Sequence, residues 1–137
     1  DRVSFYSALF SAKSLEDIDA LKEEMYDRFG KIPDSVNDLI YLAILKYYAS
    51  YALFEKIIIK KDSYTIILPD ANENFYYDNY FQKFLQYLYA NFSDKFKILQ
   101  DNNILRIYFK HNFTDTTKLL LYLIDFCKNC QSFLQDT

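Results

Sequence analysis

A single glycine in 137 residues leaves this chain one position without a Cβ, and that position, Gly30, stands where a helix has to stop. Apolar residues recur at Leu15, Ile18, Leu21, Met25 and Phe29, the spacing of one helical face. Gly30 then supplies the left-handed C′ residue that side chains with a Cβ disfavour, and Pro33 prevents the helix from resuming. This device accounts for Phe29, Gly30 and Pro33 as a structural helix stop. It does not account for Glu24, Asp27 and Arg28 in the last turns, where a carboxylate meets the negative end of the helix dipole. Charges placed against a local rule are candidates for contact with something else.

The same scarcity of glycine removes whole classes of function. Neither a P-loop nor a dinucleotide fingerprint can be written with one glycine, so no ATPase activity is expected of this chain. Sixteen Lys and Arg against 19 Asp and Glu give a net charge of -3, which argues against a general nucleic-acid-binding surface. No signal peptide is evident, and the longest apolar run, Leu119 to Ile124, is too short for a bilayer before Asp125 interrupts it. The chain opens on Asp1 without a methionine, so a fragment of a larger multidomain protein is expected, with residues 1–137 as one domain. Two cysteines without secretory features fit a cytoplasmic location.

Periodicity divides the chain. Short helical patterns cover Arg2 to Ala12, with Val3, Tyr6, Leu9 and Phe10 on one side, and a second helix begins behind Ser14, with Asp17 three residues on. A third runs from Pro33 or Asp34 to Ala52, its buried stripe being Val36, Leu39, Ile40, Ala43, Ile44 and Tyr47. β-branched runs at Glu55–Lys60 and Tyr64–Leu68 predict a hairpin around Lys61-Asp62-Ser63. After a loop at 69–74, Tyr77, Tyr80, Phe81, Phe84, Leu85 and Leu88 describe a fourth helix. A second hairpin comes next at 96–110, turning in Gln100 to Asn103, and a last helix covers Asp115 to Phe133. The fold class is α+β: N-terminal helices, then two hairpin-helix units forming a helix-covered antiparallel or mixed sheet. Aromatic residues make up 20% of the chain and are assigned to the core rather than to a base-stacking platform.

Candidate chemistry is sparse. His111, the one histidine, is read as a turn residue because no nucleophile has the spacing of a partner. Cys127-Lys128-Asn129-Cys130 has the C-x-x-C form of half a zinc site or a redox pair. A zinc site needs about four ligands, however, and a redox pair opens a helix, so two reduced, partly buried thiols and no metal are expected. The charged cluster at Glu24, Asp27 and Arg28 is open to two readings: a solvated face with an i,i+4 pair, or a contact surface.

The string Glu24-x-x-Asp27-Arg28-Phe29-Gly30-x-x-Pro33 resembles the signature of the C-terminal domain of bacterial transcription-repair coupling factors, the Mfd family. Arg2, Tyr6 and Leu9 match an opening motif, and Leu15 and Glu16 match the start of the second helix. Val36, Leu39, Ile40, Leu45, Lys46 and Ala49 fit the third. The similarity runs to about Lys60. Asp38 stands where an asparagine is usual, and Leu53 where the family tends to have a helix-ending glycine.

The resemblance implies a regulatory domain without cofactors of its own, in a parent that is a superfamily 2 DNA translocase using ATP and Mg. That parent engages RNA polymerase and UvrA in transcription-coupled nucleotide excision repair. The domain would dock intramolecularly on a UvrB-like module, masking UvrA binding and restraining the motor, with no direct contact to nucleic acid or membrane. Glu24 and Asp27 would face basic residues of that module, with Arg28 orienting them. A charge-assisted interfacial pair of about 2 kcal/mol outweighs a dipole penalty of about 0.5 kcal/mol. The alternative is a nucleic-acid-binding module using exposed Tyr and Lys on the sheet.

Overall fold

The computed structural model describes residues 2–134. Three helices lead: α1 (Arg2–Ser11), α2 (Leu15–Phe29) and α3 (Asp34–Tyr51). The hairpin β1 (Lys56–Ile59) and β2 (Ser63–Ile67) precedes α4 (Asn74–Asn79) and α5 (Phe81–Phe92). The hairpin β3 (Lys97–Asp101) and β4 (Ile104–Lys110) precedes α6 (Thr116–Leu134). The strands form one antiparallel sheet in the order β1-β2-β4-β3, which makes this the α+β fold expected and resolves the sheet as wholly antiparallel.

Local chemistry explains the hairpins. Lys60 N–H donates to the Ser63 carbonyl at 2.8 Å, so Lys61-Asp62 form a two-residue loop. The second hairpin pairs Asp101 with Ile104 across Asn102-Asn103, and Asn102 takes φ +56°, a conformation that asparagine tolerates better than most residues. Hairpin pairing therefore carries β3 to Asp101, beyond the expected end at Leu99. The expected fourth helix is broken at Tyr80, whose φ of -120° separates α4 from α5.

The core is built in two parts that share α3. Leu9, Ile18, Met25, Ile32, Val36 and Ile40 bury one side, against α1 and α2. Leu45, Ala49, Ile66, Ile107, Leu123 and Phe126 belong to the other, where α3, α5 and α6 cover one face of the sheet. Most of the aromatic content is structural: the Phe109 and Phe126 ring centroids lie 5.9 Å apart, and Phe92 lies within 5.6 Å of both. The expected stripe of α1 is only half right. Leu9 is buried, but Val3 is 77% exposed and Phe10 also faces outward, while Phe5 takes the inward place.

The two departures from the family pattern both have structural solutions. Leu53 adopts φ +66°, the left-handed conformation a glycine would take there. Its N–H donates to the Ser50 carbonyl at 3.1 Å, and Phe54 N–H donates to the Ala49 carbonyl at 2.9 Å. That hydrogen-bond pair is a Schellman motif, and burial of Phe54 behind it offsets the backbone cost of about 1–2 kcal/mol for a non-glycine residue. Asp38 accepts a 2.5 Å hydrogen bond from the Thr117 hydroxyl, tying α3 to the first turn of α6. His111 follows the end of β4, as expected, and also acts as a brace. Its Nδ1 accepts from Phe113 N–H at 3.1 Å, so Nε2 carries the proton and donates to the Lys60 carbonyl at 2.9 Å.

Cys127 and Cys130 are fully buried free thiols on the core side of α6. Burial pushes the Cys127 thiol up to about 12, and burial together with the neighbouring Cys127 raises Cys130. The ordinary value is 9.0, so above that pH the unfolded chain sheds thiol protons that the native state retains. The stability they contribute is complete below about pH 9 and is lost as pH rises towards the folded values, at about 1.4 kcal/mol per pH unit for each thiol. Urea unfolding between about pH 9 and 10 is expected to show this decline, and Cys127→Ala with Cys130→Ala to flatten it while lowering stability through lost packing. An equal slope in both proteins would contradict the assignment.

Candidate interdomain contact site

The acidic end of α2 is held in place from both sides. At the start, the Ser14 hydroxyl accepts from Asp17 N–H at 3.1 Å, while Glu16 and Asp17 sit favourably at the positive end of the helix. Along the helix, Ile18 and Met25 are buried against α1 and α3. At the stop, Gly30 N–H donates to the Tyr26 carbonyl at 2.8 Å and the chain leaves with Gly30 at φ +76°, ψ -144°. The positive φ is as expected. The ψ value, however, takes the residue beyond the helical left-handed basin into territory that is nearly glycine's alone. Two residues later Ile32 is buried, and Pro33 becomes the N-cap of α3, its carbonyl accepting from Val36 and Asn37 N–H at 3.0 Å.

Between these anchors the last two turns stand in solvent. Arg28 pairs with Glu24 at 3.3 Å, with both side chains more than half exposed, so the pair itself contributes only about 0.3–0.5 kcal/mol. Asp27 has no ion-pair partner among the described residues. The two carboxylates address different flanks. Glu24 and Arg28 line a cleft of about 150 Å³ between α1 and α2, beside Phe5 and Phe29. Asp27 lines a groove of about 460 Å³ with Asp19, Lys22, Glu23, Tyr26 and Ile32, three carboxylates against one ammonium. The sequence stripe placed Phe29 in the core, yet it is 53% exposed at the edge of the cleft beside α1. Tyr26, which the periodicity did not single out, is 60% exposed. Acidic and aromatic groups thus share one surface, a combination that suits a basic partner with apolar contacts.

Among the described residues, no group of three or more His, Cys, Asp or Glu side chains is placed to hold a metal ion, and no helix is long and apolar enough to cross a membrane. What the fold presents is an α+β domain in which a helical unit shares α3 with a helix-covered sheet and ends in an exposed tip rich in carboxylates. Its family is the TRCF domain, whose model matches residues 1–78, and the chain belongs to that family. It is 40% identical over 45 residues to the transcription-repair-coupling factor of Haemophilus influenzae, a match covering 33% of this chain and 4% of that protein. It is also similar to the crystal structure of the C-terminal domain of a transcription-repair coupling factor. The TM-score is 0.75 at 18% identity, over 98% of this chain and 81% of that one. This likeness concerns the fold, and it extends through α5, the second hairpin and α6, which lie beyond the stretch that the family model matches.

Gly30 fixes the direction of the acidic tip by backbone conformation alone, since a Cβ built there would meet nothing within 4 Å. Gly30→Ala is therefore expected to cost about 1–3 kcal/mol, and Gly30→Asn a similar amount, because asparagine relieves only the helical left-handed basin. Chemical denaturation measures both. A loss below about 0.3 kcal/mol for either variant would show that the stop is not strained.

Proposed function

We propose that this chain is a non-catalytic regulatory domain of a transcription-repair coupling factor, docking through the end of α2 on a basic UvrB-like module of the same protein. In this reading the docked state masks the surface that UvrA binds and restrains the DNA translocase until RNA polymerase is engaged. The observation that carries it is the exposed tip itself. Asp27 stands in the last turn against the helix dipole, Glu23 and Glu24 stand one turn earlier, and Tyr26 and Phe29 are open to solvent beside them. None of these side chains is needed to bury the core. Membership of the TRCF domain family and the signature residues support the assignment.

The geometry divides the roles further. Arg28 restrains Glu24 along the helix, whereas Asp27 is left to meet a cation directly. Tyr26 and Phe29 would exclude water around those contacts, raising the value of each charge pair.

In the full-length protein, Glu24→Lys with Asp27→Lys is expected to leave this domain folded, since both side chains lie outside the apolar stripe. UvrA binding should tighten and ATPase activity without polymerase should rise. The gain should be about tenfold or more if the pairs are desolvated and a fewfold if they stay wet. Unchanged UvrA affinity and unchanged basal ATPase, with normal thermal unfolding, would reduce the tip to solvated surface charge.

A further inference from the structure

We propose that the open face of the β-sheet docks a short acidic polypeptide segment, anchored on Arg106 and Tyr108. The pleat sorts the sheet's side chains into two sets. Tyr64, Ile66, Ile107 and Phe109 are buried beneath the helices. Ile58, Thr65, Ile67, Arg106 and Tyr108 alternate with them, lie only partly covered, and are not members of the core cluster. Register sets Arg106 between Ile67 and Leu99, and Tyr108 between Thr65 and Lys97. Exposed Lys56, Lys97 and Lys110 share this face by the same alternation, with Asp101 as the acidic residue among them. A basic surface has thus been gathered on a protein whose net charge is -3, across the helical layer from the acidic tip of α2.

The centre of the face has the composition of an interface core. Arg and Tyr are among the residue types most often carrying binding energy, and here Arg106 is framed by aliphatic Ile67 and Leu99 while Tyr108 sits between Thr65 and Lys97. Arg106 is only loosely committed, to an ion pair with Asp101. Its Nε has no hydrogen-bond partner among the described residues, and Nη2 stands 3.8 Å from Asp101, too far for a hydrogen bond. The buried Nε is out of reach of a ligand, but the partly exposed Nη end can take a carboxylate through two hydrogen bonds in place of the long Asp101 contact.

Size and chemistry narrow the occupant. Four strands about 4.8 Å apart and about five residues long make a patch roughly 15 Å on a side. A stable globular interface takes about 800 Å² from each partner, so a short segment fits and a folded domain does not. Single-stranded nucleic acid stacks successive bases on several rings, whereas Tyr108 is the one aromatic side chain among the strand residues of this face. A peptide that alternates carboxylates with apolar side chains matches both features.

The test is fluorescence anisotropy of the 137-residue chain with a short labelled peptide of alternating Glu and Leu, alongside an all-Glu peptide and oligo-dT of equal length. The Glu/Leu peptide is expected to bind in the micromolar range and more tightly than either comparator. Arg106→Gln with Tyr108→Ser should weaken it about tenfold or more at unchanged thermal unfolding. Lys97→Glu with Lys110→Glu, at the solvent-exposed rim, should weaken it severalfold and serves if the first pair unfolds. Glu24→Lys with Asp27→Lys should leave it intact, which keeps this surface separable from the docking tip. Absence of saturable binding up to about 1 mM, indifference to both sheet variants, or tighter binding of oligo-dT would each overturn the proposal.

Discussion

Packing on two sides of α3 is the constraint on which the rest of the molecule depends. Val36, Ile40 and Ala43 close the N-terminal core, while Leu45 and Ala49 enter the sheet core. Ile44 packs against both clusters. Every other element rests against one of these faces or against something that does. α6 makes its most extensive helix packing with α3, and the Asp38–Thr117 hydrogen bond pins that crossing at its end. A helix that must satisfy two cores cannot shift its register without opening one of them, which fixes the helical unit relative to the sheet.

The same double burial explains what the sequence could and could not disclose. The strands were legible because the first hairpin is built of β-branched runs and β4 alternates cleanly, Leu105, Ile107 and Phe109 on one face, Arg106, Tyr108 and Lys110 on the other. For α3, a single-stripe reading takes Val36, Leu39, Ile40, Ala43, Ile44 and Tyr47 but passes over the buried Leu45 and Ala49, because a helix buried on two sides carries no single stripe. Phe29 fails in the opposite direction. It has the spacing of a core residue yet stands 53% exposed at the edge of the cleft beside α1. The break at Tyr80 leaves no mark in composition, since aromatic residues continue through it.

The candidate site was legible as an anomaly rather than as a motif with its own chemistry. Asp27 violates the dipole rule, Glu24 stands one turn earlier and Gly30 marks the place, but nothing local says that the two carboxylates open onto different grooves. That depends on where α1 and Ile32 pack. The exposed aromatic rings were hidden by a chain in which Tyr and Phe are abundant everywhere.

The helices α2 and α3 both end on a positive φ, one with glycine and one with leucine, and the contrast lies in how the chain is held after each bend. Behind Leu53, Phe54 is locked into the sheet core, so tertiary structure enforces the bend and the residue identity is free to drift. Behind Gly30, exposed Lys31 intervenes before Ile32 regains the core, so local backbone preference has to enforce it. Glycine persists, on this account, where the neighbourhood lends no support, and in a glycine-poor protein its position maps the part of the surface whose shape must be specified locally. Here that part is the tip.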